Sequence, residues 1–82
     1  MTDEHIENTI RQVLADKFDV SMDDIKPETH ISHELGADSL DMIEVIIEVE
    51  NQLNIIFPDD DELNTVVTPG QLVNYVLKVK NR

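Results

Sequence analysis

The sequence predicts an all-α fold: a small antiparallel bundle of three longer helices plus one short helix, with a long first connection. Two observations carry this prediction. Apolar residues recur at helical spacing through most of the chain, and no stretch alternates convincingly as a strand. Cap and stop signals also fall at the ends of those periodic runs. With 82 residues there is enough chain for a single domain, 1–82, and too little for two. A domain of that size buries a modest core, worth ~3–5 kcal/mol net.

The first helix is expected from Asp3 to Lys17, capped by Thr2 or Asp3, because Ile6, Ile10, Val13 and Leu14 form one stripe at i, i+4, i+7 and i+8. The long connection runs from Phe18 to Ala37. It holds Ser21-Met22-Asp23-Asp24-Ile25, which suits one turn, and Pro27. A connection this long in a compact domain is functional or is packed down by its own side chains, here Val20, Ile25, Ile31 and Leu35. The second helix starts at Asp38-Ser39, with Asp38 a good N-cap, and ends near Leu53. Pro58 and the run Asp59-Asp60-Asp61-Glu62 open the short helix, since acidic residues favour an N-terminal turn. The last helix begins at Thr68-Pro69-Gly70-Gln71, a capping-box pattern with proline in the first turn. Leu72, Val73, Val76 and Leu77 are its inward face, and Lys78, Lys80 and Arg82 complement the dipole at its C-terminal end.

The second helix has three faces. At about 100° per residue, Met42, Val45, Ile46, Val49 and Leu53 form an ordinary core stripe. Asp41, Glu44 and Glu48 cluster in a separate arc. Leu40, Ile43 and Ile47 form a third arc, apolar and largely opposite the core. One bland reading tucks some of these residues, Ile43 first, under the long connection. The functional reading is a docking surface, with apolar anchors beside a strip of like charge. Like charges at i, i+3 and i+4 oppose the helix, so their retention points to a use.

Composition narrows the function classes. There is no cysteine, hence no disulfide framework, no thiolate metal site, no cysteine nucleophile and no thiol of the chain's own. The N-terminal MTDEHIENTI is acidic and polar, unlike a signal peptide. No apolar run approaches the ~20 residues that span a bilayer. The expectation is a cytoplasmic protein. Eighteen acidic against six basic residues give a net charge of −12. That repels nucleic acid and anionic lipid and suits partners with basic surfaces, although plain solubility uses the same charge.

Gly36-Ala37-Asp38-Ser39-Leu40-Asp41 lies where the connection meets the second helix. A serine at a helix start is usually a cap. The same helix end also favours an anion, so a phosphodiester on Ser39 would be stabilised there. In this setting GADSLDMIEVIIEVE resembles the modification segment of acyl carrier proteins of bacterial type II fatty acid synthesis. The likeness runs over nearly the whole chain, including the Asp-Ser-Leu motif, the Phe-Pro-acidic turn and the last helix with Tyr75.

The resemblance implies a covalent phosphopantetheine on Ser39, placed there by a phosphopantetheinyl transferase (a holo-carrier synthase). Asp38 would help that enzyme position its metal ion and the nucleophile. The arm's thiol would carry acyl groups as thioesters, so the chain would be a carrier and not an enzyme. The resemblance also assigns Asp41, Glu44 and Glu48 to basic patches on fatty acid synthesis enzymes and acyltransferases, and Leu40 and Ile47 to apolar contacts. Ile46, Val49 and Leu63 would shelter the acyl chain. A monomer is expected. Asn51 and Ile56 depart from the family, standing where the common fatty-acid carriers are usually acidic, and Pro58 to Tyr75 is one residue longer than the usual pattern. The alternatives are a carrier dedicated to a polyketide or lipid-modification pathway, and an unmodified acidic helical adaptor.

His30 and His33 sit three apart, with a metal site and solvated or capping histidines as the two readings, and the latter preferred. Asp59 to Glu62 lacks the ligand spacing of an EF-hand and is read as helix-start charge, so no metal site is expected. Ser39 as a hydrolase nucleophile would need a Gly-x-Ser-x-Gly elbow, which the sequence does not contain.

Overall fold

A computed structural model describes residues 3–58 and 61–81, and for Asp61 the backbone alone. The described residues form four α-helices, α1 Asp3–Phe18, α2 Ile31–Leu35, α3 Ser39–Leu53 and α4 Pro69–Lys80, with 3-10 turns at Met22–Asp24 and Asp61–Thr65. Among the described residues there is no strand. Thr2, Asp59, Asp60 and Arg82, which the sequence reading used as caps or terminal charges, lie outside the described residues.

The helix α1 is the pivot, packing against both α3 and α4. Its stripe of Ile6, Ile10, Val13 and Leu14 is buried, and so are Val45, Val49 and Leu53 of α3. On α4 the buried positions are Leu72, Tyr75 and Val76. Val73 and Leu77, expected inward, are only partly buried at the edge of the core. Tyr75 turns inward because Phe57 meets it edge to face at 5.2 Å, a favoured geometry for aromatic pairs. Met42 and Ile46, expected in the α3 core stripe, likewise sit at its margin.

The long connection is packed down as expected, with Ile25 and Ile31 fully buried and Val20 and Leu35 against the core. Three polar ties hold it as well. Arg11 on α1 donates to Met22 O at 2.7 Å and Ile25 O at 3.0 Å. The Ile31 amide donates to Val67 O at 2.9 Å, and the Gly70 amide to Pro27 O at 3.0 Å. A Cβ on Gly70 would lie 2.9 Å from that carbonyl, so only glycine permits this approach.

Two elements differ from the sequence reading. The short α-helix of the fold is α2, inside the connection. Its cap is His30, whose Nδ1 accepts from the His33 amide at 3.1 Å, while Glu34 accepts from the His30 amide at 2.6 Å. Histidine is not a usual cap, so the start signal is weak. The stop signal is plain: Gly36 has φ of 77°, the left-handed conformation that ends helices. After Pro58, the expected short helix is a 3-10 turn. Leu63 within it and Val66 just after it stand three apart, and the Val66 amide donates to Leu63 O at 3.3 Å, the i to i+3 pattern of a three-residue repeat.

Candidate functional site

The site is the start of α3 and the groove beside it. Asp38 caps the helix through a reciprocal box. Its Oδ1 accepts from the Asp41 amide at 2.9 Å, and Asp41 Oδ2 accepts from the Asp38 amide at 3.2 Å. Two orphan amide donors are thereby satisfied, and the first turn is fixed. Ser39 is the first residue of this 15-residue helix and is exposed. Its hydroxyl therefore projects from a rigid helix end whose dipole favours an attached phosphodiester. An exposed hydroxyl at that end fits a covalent phosphopantetheine.

From Ser39 an open groove of about 640 Å³ runs between α3 and the Asp61–Thr65 turn. Ala37, Asp38 and Ser39 border its mouth, Met42, Ile43 and Ile46 form one wall, and Leu63, Val66 and Val67 the other. Of the three residues assigned to acyl shelter, Ile46 and Leu63 line this groove. Val49 is instead fully buried in the α1–α3 core and does not reach it. The other lining residues of the second wall escape sequence reasoning because Leu63 to Val67 are distant in the chain from the start of α3.

The outer face of α3 presents Leu40, Ile43 and Ile47 at 63%, 54% and 50% exposure. Glu44 and Glu48 are exposed beside them, and Asp41 is half-buried. One residue missed by the sequence reading joins this strip. Lys17, in the last turn of α1, hydrogen-bonds Glu44 and lies 3.6 Å from Asp41 Oδ1. Its ammonium is held above the usual lysine range, chiefly by the Glu44 hydrogen bond, with desolvation opposing. A separation of 27 residues hides this contact from any local pattern. Ile56, at 86% exposure, leaves a bare apolar side chain past the C-terminal end of α3. Among the described residues no group of three or more histidine, cysteine or acidic side chains is arranged to hold a metal ion.

A family profile described as a phosphopantetheine attachment site matches residues 8–76. The chain is 38% identical over 78 residues to the acyl carrier protein of Chlorobium phaeobacteroides, covering 95% of this chain and 99% of that one. It is 37% identical over 76 residues to the acyl carrier protein of Lactobacillus acidophilus, covering 93% and 94%. In fold it matches the acyl carrier protein from Enterococcus faecalis, with a TM-score of 0.79 over 96% of this chain and 99% of that chain at 24% identity. No helix among the described residues is long and apolar enough to cross a membrane. On the profile and the near-full-length relatives, this chain belongs to the acyl carrier proteins, the family built around a covalently attached phosphopantetheine.

Proposed function

We propose that Ser39 is the phosphopantetheine attachment residue and that the chain carries acyl groups to the enzymes of fatty acid biosynthesis as a carrier, not a catalyst. The observation that supports this most is the exposed Ser39 hydroxyl at the capped start of α3, at the mouth of an apolar groove. When bound, the group supplies the thiol that a chain without cysteine lacks. The chain's own residues do the rest. Asp38 fixes the helix start and helps a phosphopantetheinyl transferase position the Ser39 hydroxyl and its metal ion. Ile46 and Leu63, on facing walls of the groove, cover an acyl chain. Leu40, Ile47 and the carboxylates Asp41, Glu44 and Glu48 meet basic, apolar-centred patches on synthesis enzymes and acyltransferases. We place it in the cytoplasm as a monomer.

Acyl carriage is tested by treating the apo protein with acyl coenzyme A, Mg²⁺ and a permissive transferase. Wild type should gain one acylated arm whose acyl group hydroxylamine removes, and Ser39→Ala should gain nothing. Absence of a hydroxylamine-labile acyl group on wild type, with a control carrier charged in parallel, overturns the reading.

A second reading, a carrier dedicated to one specialised pathway, is favoured by Ile56. Bare at 86% exposure, and following the neutral, exposed Asn51 in the chain, it suits a partner with an apolar contact there in place of a basic one. Ile56→Glu should then leave phosphopantetheine attachment unchanged and weaken that partner alone.

A further inference from the structure

We propose that Lys17 is a specificity-determining residue of the α3 docking face: it occupies the Asp41–Glu44 half of the acidic strip, so a partner docks productively only with a basic side chain that displaces it from Glu44. The proposal rests on the reading of α3 as the docking face and names what a partner needs to use it.

Lys17 reaches α3 across the α1–α3 crevice, a hollow of about 370 Å³ that also borders Val13, Asp16, Glu48 and Gln52. The neighbouring Asp16 on α1 accepts from the Gln12 amide at 2.8 Å, and no ion pair joins it to Lys17 among the described residues. Lys17 therefore pairs forward, with Glu44 and Asp41. Glu48 borders the same crevice without an ion pair to Lys17, and it accepts from the neutral Gln52 amide at 3.1 Å. Among the described residues no cation pairs with Glu48. The strip that sequence alone presents as three equal carboxylates is thus uneven, with one internal cation at its N-terminal half and bare charge at Glu48.

This unevenness orders the encounter. Lys17 offsets one of the two charges of Asp41 and Glu44, so a basic patch meets Glu48 as the carboxylate from which no internal cation has to be displaced. An exposed pair of this kind is weak enough for an incoming cation to replace. An arginine does so best, since its planar fork binds a carboxylate bidentately where lysine offers a point charge. A partner with one basic residue aimed at Glu48 alone leaves the Lys17–Glu44 pair in place. A partner with a second basic residue in register with Glu44 takes over that pairing, and Lys17 swings into solvent.

The test measures kcat/KM for phosphopantetheine transfer to the full chain by a transferase with a basic docking helix, at ~0.02 M and ~0.3 M salt. Lys17→Gln should raise it about threefold to tenfold at low salt, with the gain shrinking at high salt. Lys26→Gln changes net charge equally from the exposed long connection, away from the strip. It should change the rate less than about twofold. Lys17→Met, which keeps the apolar stem, provides the same comparison should the glutamine variant fold poorly. Lys17→Arg should sit at or below the wild-type rate. If Lys17→Gln and Lys17→Met match Lys26→Gln while Glu44→Lys still slows transfer, the docking face stands and the Lys17 proposal falls. If Glu44→Lys leaves transfer unchanged at low salt, the docking face itself falls and takes the proposal with it.

Discussion

At position 38 a carboxylate holds the Asp41 amide and so fixes the first turn of α3, with Ser39 beside it in solvent. Cap and charge separate by substitution. Asp38→Ala should lose about 1 kcal/mol of stability through the cap, whereas Asp38→Asn should keep most of it, because asparagine caps about as well as aspartate. If the charge also serves the transferase, Asp38→Asn should slow attachment about tenfold with little change in the urea midpoint. Equal rates for Asp38→Asn and wild type would assign Asp38 to capping alone. The same scale holds the Lys17 pair. Its pKa is raised in the folded chain. A raised cation contributes fully below its unfolded pKa, about 10.4, and loses that contribution as pH climbs through the folded value. The rate advantage of Lys17→Gln over wild type should therefore be constant between pH 7 and about 9 as far as lysine titration contributes.

Among the elements, α3 does three jobs on three faces: core through Val45, Val49 and Leu53, groove wall through Met42 and Ile46, and outer face through Leu40 and Ile47. Glu48→Lys should slow association with a basic partner severalfold at low salt and little at high salt, because the Debye length shrinks from about 10 Å at 0.1 M to about 3 Å at 1 M. Ile47→Ala should weaken the same complex with much less salt dependence, and a matching salt slope for both variants would refute the division of labour. Where α4 abuts the long connection, Gly70→Ala should destabilise by about 1 kcal/mol despite alanine's better helix propensity, because its Cβ would press on Pro27 O. Thermal melting distinguishes this from a stabilising substitution. The periodic elements α1, α3 and α4 and the caps Asp38 and Thr68 are legible in the sequence because each is a local pattern. The helix α2 is not, since a histidine starts it. Nor are the Arg11 ties, the second wall of the groove or the Lys17 pair, which join residues distant in the chain. The three-arc reading of α3 located the exposed face, yet it could not separate Val49, sealed in the core, from Ile46 on the groove.

The whole molecule carries −12 on 82 residues. Its described ion pairs are those of Lys17 with Asp41 and Glu44 and of Lys78 with Glu62. Exposed pairs contribute ~0–1 kcal/mol each, so the uncompensated repulsion outweighs them. The melting temperature should therefore rise by a few degrees, roughly 1 kcal/mol of relief, as salt goes from near zero to ~0.15 M. A fall over that range would mean that attraction dominates the surface. The same acidic surface presents Ser39 to enzymes, and the account stands or falls on that residue. Its most direct measurement is intact-mass and peptide-fragment spectrometry after incubation with coenzyme A, Mg²⁺ and a carrier-protein transferase. The prediction is the mass of one phosphopantetheine, located on Ser39 and absent from Ser39→Ala; an unchanged wild-type mass beside a modified control carrier, or the same addition on Ser39→Ala, would contradict it.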